Sequence, residues 1–341
     1  MSILLPRPTG GAPRPVVRGL AWFVAVAAVV LACGSVTQAQ GPATERVYRI
    51  GFLSQGQPPR TYLEALQQGL GERGYVDGRN LVWEMRSTDG SLDQLPKLAE
   101  ELVRAKVDLI LARASSGATA AQKATTSIPI VFFAVYAPVE IGLVPSLSRP
   151  GGNITGVAVN ASDMAGKRVQ LLKELVPTLR RVAFLSHPPH PTNTVQVEGA
   201  EAAARAVGVQ LEVVPVRGAD DVGSALKTLR AVDGVLNADT PLFITNRARL
   251  VSAVTASRLP TIYPARVYVE AGGLMSYGPN VADLWKRAAI YVDKILKGAR
   301  PGDLPVEQPT TFELTINNKT AKAMGLAIPP SLVLRADQII E

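Results

Sequence analysis

The chain has 341 residues, 47% of them hydrophobic and 19% charged, and a net charge of +8 to which Arg7, Arg14 and Arg18 contribute three. The remaining excess is dispersed, with no block of five or six like charges, which argues against a nucleic-acid-binding protein. The single cysteine, Cys33, excludes a disulfide framework, so a large apolar core has to hold the fold together.

In chain order, the first feature is a segment with three arginines and no acidic residue up to Arg18. An uncharged apolar run, Leu20–Cys33, follows, and then the small and polar stretch Gly34–Gln40. These are the three parts of a secretory signal, with Thr37 and Ala39 at −3 and −1 of a cut before Gln40. The run is shorter than the roughly 20 residues a bilayer span needs. Two other readings compete: an uncleaved anchor, and a lipoprotein box, Val30-Leu31-Ala32-Cys33, that would lipidate Cys33.

Beyond it, strand and helix signals alternate. Val47–Ser54 is an apolar, β-branched strand run, and Arg60–Arg73 has helical spacing through Leu63, Leu66 and Leu70. Strand Asn80–Arg86, helix Asp93–Ala105, strand Val107–Ala112, helix Thr119–Ser127 and strand Ile128–Val135 continue the series. After strand Ile154–Val159 and helix Ala161–Leu175, Arg181–Ser186 opens a similar second series. Its members are helix Val195–Val207, strand Val209–Val214, helix Ala219–Leu229, strand Gly234–Leu236, helix Asn246–Ser257 and strand Thr261–Tyr263. Helix Val281–Lys297, an extended stretch Pro301–Pro309, strand Thr311–Ile316, helix Asn317–Met324 and strand Leu332–Arg335 complete the chain. The pattern predicts an α/β fold of two Rossmann-like lobes, with parallel sheets flanked by helices, a hinge and a central cleft.

In such sheets ligands bind beyond the carboxyl ends of the strands. The candidate binding residues therefore follow strands: Ser54 and Gln55; Ser115, Ser116 and Gly117; Tyr136; Asn160; Ser186; Asn237 and Asp239; Tyr263 and Tyr277. The segment Arg113–Thr119, whose small residues follow a strand and precede a helix, suits a ligand carboxylate, or else Ser115 or Ser116 is an ordinary helix cap. Asp239 suits an ammonium group, or else caps the helix start at Pro241. The tyrosines suit stacking on a solute and equally suit core packing.

Gly69-Leu70-Gly71-Glu72-Arg73-Gly74 matches a dinucleotide fingerprint in spacing, but it ends a helix instead of opening one, so the glycines read as a helix stop. His187 and His190 are the only histidines and no further ligands complete a metal set, so no metal or cofactor is expected. No nucleophile turn such as GxSxG is present, so catalysis is not expected.

Five segments carry a family resemblance: Arg49–Leu53, Ser127–Phe132, Arg149–Gly156 (RPGGNITG), Glu270–Gly278 (EAGGLMSYG) and Tyr291–Gly298. Pro305–Pro309 through Ile316-Asn317, and Ile328-Pro329-Pro330, add to them. The chain resembles the ABC transporter substrate-binding proteins that include the tryptophan/tyrosine-type binders, with a type I periplasmic binding fold. The resemblance implies a monomeric, non-catalytic protein of the periplasm that hands a small-molecule solute to a membrane permease. It also implies three crossovers, with residues 46–158 plus 278–306 in lobe one and 161–276 plus 310–341 in lobe two. Two family features are replaced: Tyr136-Ala137-Pro138 stands for an Asp-Pro, and Ser186-His187-Pro188 for an Asn-Pro. The expected solute is an amino acid or related carboxylate, with its acid group at Ser115–Thr119 and its amine at Asp239. A sensor for a membrane receptor and, less favoured, a periplasmic enzyme are the alternatives on the same scaffold.

Overall fold

The computed structural model describes residues 46–159, 161–229 and 231–341, so the signal segment with Cys33, and the candidate Asn160, lie outside the described residues. Two sheets organise the rest. The first has strand order β2-β1-β3-β4-β5: β1 (Tyr48–Ser54), β2 (Leu81–Ser87), β3 (Leu109–Arg113), β4 (Ile130–Tyr136) and β5 (Ile154–Val159), all parallel. Every residue of β3 and β5 is buried, as expected of strands covered by helices on both faces. Helices α1 (Arg60–Gly71), α2 (Leu95–Arg104) and α3 (Ala114–Ala124) connect them.

The second sheet has order β12-β11-β10-β9-β8-β6-β7. Its strands are β6 (Arg181–Ser186), β7 (Gln210–Pro215), β8 (Gly234–Asn237), β9 (Thr261–Tyr263), β10 (Met275–Pro279), β11 (Phe312–Asn317) and β12 (Gln338–Ile340). All neighbours are parallel except β10 and β11. Its helices are α4 (Ala161–Leu175), α5 (Asn193–Ala206), α6 (Asp221–Thr228), α7 (Pro241–Thr245), α8 (Arg247–Ala256) and α9 (Arg266–Glu270). Helix α10 (Val281–Leu296) follows β10 of the second sheet but packs on α1, β4 and β5 of the first. Helices α11 (Asn318–Ala323) and α12 (Pro330–Arg335) close the chain.

The chain thus passes between sheets three times: after Val159, after Pro279, and between Glu307 and Phe312. Before the last passage the main chain of Glu307 brackets β5, its N–H donating to Gly156 O at 3.1 Å and its carbonyl accepting from Ala158 N at 2.8 Å. The stretch expected to be extended begins with a 3₁₀ turn, Pro301–Asp303.

Three expectations are corrected. Leu332–Arg335 lies in helix α12, because Pro330 sits pre-organised at its first turn and only Leu332 needs burial. The helix after β3 runs over Ala114–Ala124, and it starts early because Ala114 takes a positive φ of 58° that turns the chain straight from strand to helix. The helix expected over Asn246–Ser257 is α8, preceded by the separate short α7 that Pro241 starts.

The glycines of the fingerprint-like run stop α1 and bring helices together. Gly74 has φ 87° beyond the last turn, while a Cβ on Gly69 would sit 3.2 Å from the Lys286 backbone of α10.

Candidate functional site

The ends of β3 and β4 and the loops after β6 and β8 meet at a cavity of ≈ 40 Å³. Its apolar wall includes Tyr62, Val159, Ile244, Leu284 and Trp285. Trp285 is fully buried, with its ring 5.8 Å from Tyr62 and 4.7 Å from Phe133 between centroids. The polar end holds Arg113, Tyr136, His190, Asp239 and Thr240.

Arg113 ends a strand of wholly buried residues and is itself 3% exposed. Its Nη1 donates to Ser54 Oγ at 3.1 Å and approaches Gln55 O at 3.5 Å, and its guanidinium lies 6.0 Å from the Trp285 ring centroid. Burial lowers its pKa to about 10, so it is charged at neutral pH. None of these neighbours is an anion, and a buried cation without one is costly.

Tyr136 reaches the cavity because of a bulge. Along β4, Phe132 packs in the core on one face of the first sheet and Phe133 in the core on the other. The register shifts between Phe133 and Val135, where Ala134 takes φ 52°. Val135 then rejoins the first core and Tyr136 the second, so the extra residue turns Tyr136 to the cleft side. Ala114 and Ala134, both in the left-handed region without being glycine, both line the cavity, and such strain concentrates at functional sites.

Across the cleft, the Tyr136 hydroxyl donates to Asp239 Oδ2. Arg168 of α4 holds its Nη2 3.9 Å from the same oxygen, and its Nε donates to Tyr277 O at 2.8 Å. Burial raises the Asp239 pKa, opposed by Arg168, by the Tyr136 hydroxyl and by Arg113. The Asp239 main chain is fixed by Gln196 of α5: its N–H donates to Oε1 at 2.7 Å, and Nε2 donates back to its carbonyl at 3.3 Å.

The candidates named from sequence divide into groups. Ser115, Tyr136 and Asp239 line the cavity. Ser54, Gln55 and Ser116 form a buried layer behind Arg113, with Ser116 Oγ donating to Gln55 Oε1 at 3.0 Å and Gln55 Nε2 donating to Gly90 O at 2.8 Å. Ser115 Oγ accepts from Tyr136 N at 3.1 Å and donates to Tyr136 O at 3.2 Å, so both its roles are taken. Neither serine caps α3, whose N-cap is Arg113. Gly117 lets α3 lie on β1, since a Cβ there would sit 3.1 Å from Leu53 O.

The remaining candidates are placed away from the cavity lining. Asn237 is buried and donates to Ala238 O at 3.0 Å, and Ser186 bonds toward Val214 O at 3.5 Å. Tyr263 stacks on Tyr268 at 5.0 Å, and Tyr277 on Phe312 at 6.1 Å.

Sequence reasoning placed Arg113 in the carboxylate segment without singling out its charge, and gave no ligand-binding role to Arg168, His190, Thr240, Tyr62 or Trp285. A charge closing the apolar run Leu109–Ala112 was the available signal for Arg113, and nothing local marks Arg168. Among the described residues no group of three or more His, Cys, Asp or Glu side chains could hold a metal, and no helix is long and apolar enough to cross a membrane.

The family model "ABC transporter substrate binding protein" matches residues 59–340. The tyrosine-binding protein of Clostridioides difficile (strain R20291) is 29% identical over 260 residues, covering 76% of this chain and 75% of that protein. Among solved structures, an ABC domain in complex with L-Trp from Streptococcus pneumonia superposes with a TM-score of 0.81 at 28% identity, covering 86% of this chain and all of that one. A conserved domain protein from Vibrio cholerae gives 0.82 at 26% identity with the same coverages. With its two sheets, its three chain passages and a family match spanning nearly all described residues, this chain belongs to the ABC transporter substrate-binding protein family.

Proposed function

We propose that the protein captures a small carboxylate, an amino acid or a related acid, in the cavity between the two sheets and delivers it, unchanged, to a membrane permease. The single observation that carries the carboxylate is Arg113, a buried cation facing the cavity that forms no ion pair, the Asp239 carboxylate acting on it only at longer range. The relatives named for tyrosine and L-Trp support the same class. Residues 46–158 with 278–306 act as one lobe and 161–276 with 310–341 as the other, and the solute shifts the population toward closure. The protein acts in the periplasm as a monomer, released by a cut after Ala39.

The contacts divide the work. Arg113 takes the acid group in place of the Ser115 and Ser116 hydroxyls, which are already committed to Tyr136 and Gln55. Tyr62 and Trp285 bound the apolar part of the solute. Tyr136 and Asp239 join the two sides over it.

A thermal-shift screen of the purified protein against amino acids, other carboxylates and sugars tests the reading. Carboxylates are expected to raise the melting temperature, and Arg113→Met to abolish the shift. A shift with sugars and none with carboxylates would overturn it.

A further inference from the structure

One more ring, His190, lines the cavity. His190 is 3% exposed, and its Nε2 is buried and meets no partner. A chain of hydrogen bonds fixes which ring nitrogen carries the proton. The Asp239 N–H needs an acceptor, so Gln196 must present Oε1 to it at 2.7 Å. Gln196 Nε2 therefore donates, at 2.8 Å, to Thr192 Oγ1. That hydroxyl has its one proton left for His190 Nδ1, 2.9 Å away. The main-chain N–H of Thr192 also points at Nδ1, at 3.4 Å. Two donors converge on Nδ1, so Nδ1 is the acceptor and Nε2 carries the hydrogen. Burial and the neighbouring His187 lower the ring's pKa to about 3, so it is neutral at ordinary pH. The cavity thus holds an oriented N–H donor with nothing to donate to, beside Thr240 Oγ1, which is also buried without a partner.

Charge gives the second observation. Around the cavity stand two arginines, Arg113 and Arg168, against one carboxylate, Asp239, which leaves an excess of +1 with Asp239 ionised and +2 with it protonated. Further out, Glu270 is neutralised by Arg266 at 2.7 Å, while Arg247, which donates to Ile244 O at 3.1 Å, adds one more positive charge, so no outer carboxylate offsets the excess. A zwitterion brings no net charge, and its ammonium would compete with Arg168 and Tyr136 for Asp239. A monoanion without an ammonium balances the site. The cavity is small, ≈ 40 Å³, and Arg113 and His190 both line it, so the acid group and a second oxygen of one small solute can engage both.

We infer that the preferred solute is a small 2-hydroxy or 2-oxo carboxylate, whose acid group pairs with Arg113 and whose second oxygen accepts the Nε2–H of His190. The inference rests on the carboxylate reading above and narrows it.

Calorimetric titration of the purified protein with matched series, in which a 2-hydroxy, a 2-oxo and a 2-amino acid share one small side chain, is the test. The hydroxy or oxo acid is expected to bind at least about tenfold more tightly than the amino acid. His190→Phe, close in shape but without the donor, is expected to remove that preference, and His190→Gln to restore part of it. Long-range ¹H–¹⁵N NMR of the unsubstituted protein, simplified by its 2 histidines, is expected to show a neutral Nε2–H ring for His190 whatever the variants do.

Tighter binding of the amino acid, an unchanged preference in His190→Phe, or an Nδ1–H ring would each overturn the inference while leaving the carboxylate reading in place. No binding by any member of the series would overturn the inference, and no thermal shift with any carboxylate would overturn both.

Discussion

Gln196 grips Asp239 by its main chain in both directions, accepting from its N–H at 2.7 Å and donating to its carbonyl at 3.3 Å. One amide on α5 thereby holds the loop after β8 and, through Thr192, the His190 ring. Gln196→Leu keeps the bulk of the side chain but leaves the Asp239 N–H buried without an acceptor. A loss of about 1–3 kcal/mol in denaturant unfolding is expected, together with weaker solute binding. Binding that stays intact while stability falls would show that the loop does not need this grip to hold the site.

The Tyr136 hydroxyl and the Asp239 carboxylate join elements of different sheets. Tyr136→Phe removes that link, and the hydroxyl's interaction with Arg168, while keeping the ring in the cavity wall. A hydrogen bond to a charged group contributes about 1.5–3 kcal/mol, enough to shift an open–closed equilibrium more than tenfold. Small-angle scattering of the variant without solute is expected to give a larger radius of gyration than the parent protein. Saturating solute should narrow the difference.

Acid should loosen the fold before its carboxylates titrate. Burial lowers the pKa of His187 to about 4 and that of His190 to about 3, against about 6.5 in the unfolded chain. Below pH ~6.5 the unfolded chain binds protons that the folded rings refuse, so stability falls as pH falls. The contribution is fully present above that pH and is lost progressively toward the folded-state values. Each ring removes about 1.4 kcal/mol per pH unit inside this window. Unfolding free energies measured between about pH 7 and 5 should show this slope, and a His187→Phe/His190→Phe double variant should flatten it.

Two glycines should respond in opposite directions. A Cβ on Gly278 in β10 would meet Pro264 O at 2.0 Å, so Gly278→Ala forces the turn after β9 away from the sheet. A loss of about 1–3 kcal/mol is expected from this overpacking. Gly223 lies within α6 with nothing within 4 Å of its missing Cβ, and Gly223→Ala should gain about 0.5–1 kcal/mol from helix propensity. Thermal melts of the two variants decide both.

The layered fold was readable because buried parallel strands write themselves as unbroken apolar runs. Ile154–Val159, Arg181–Ser186 and Thr261–Tyr263 have the same bounds in sequence and structure, as does helix Ala161–Leu175. Where an apolar triplet follows a proline, as in Leu332–Leu334, the run alone does not separate strand from helix, and the proline at the first turn decided it. The site was harder to read. Position after a strand end brought out Ser115, Tyr136 and Asp239, since topology alone carries those residues toward the cleft. Arg113 and Arg168 look like surface arginines until the chain's passages bury them. Tyr263 and Tyr277 also follow or sit in strands, yet each spends its ring on an aromatic neighbour. The His190 donor depends on a relay through Thr192, Gln196 and Asp239 that crosses 49 positions of the chain and exists only once it is folded.

Trp285, packed between Tyr62 and Phe133 and lining the cavity, gives the protein a built-in optical reporter. The chain has three tryptophans, Trp22, Trp83 and Trp285, and Trp83 sits on the edge strand β2, far from this wall in the sheet order. An anion drawn to Arg113 changes the electric field at the indole ring 6.0 Å away. Solute capture is therefore expected to register as a shift in intrinsic emission, with no label attached, and Trp285→Phe should silence it while the Trp83 signal persists.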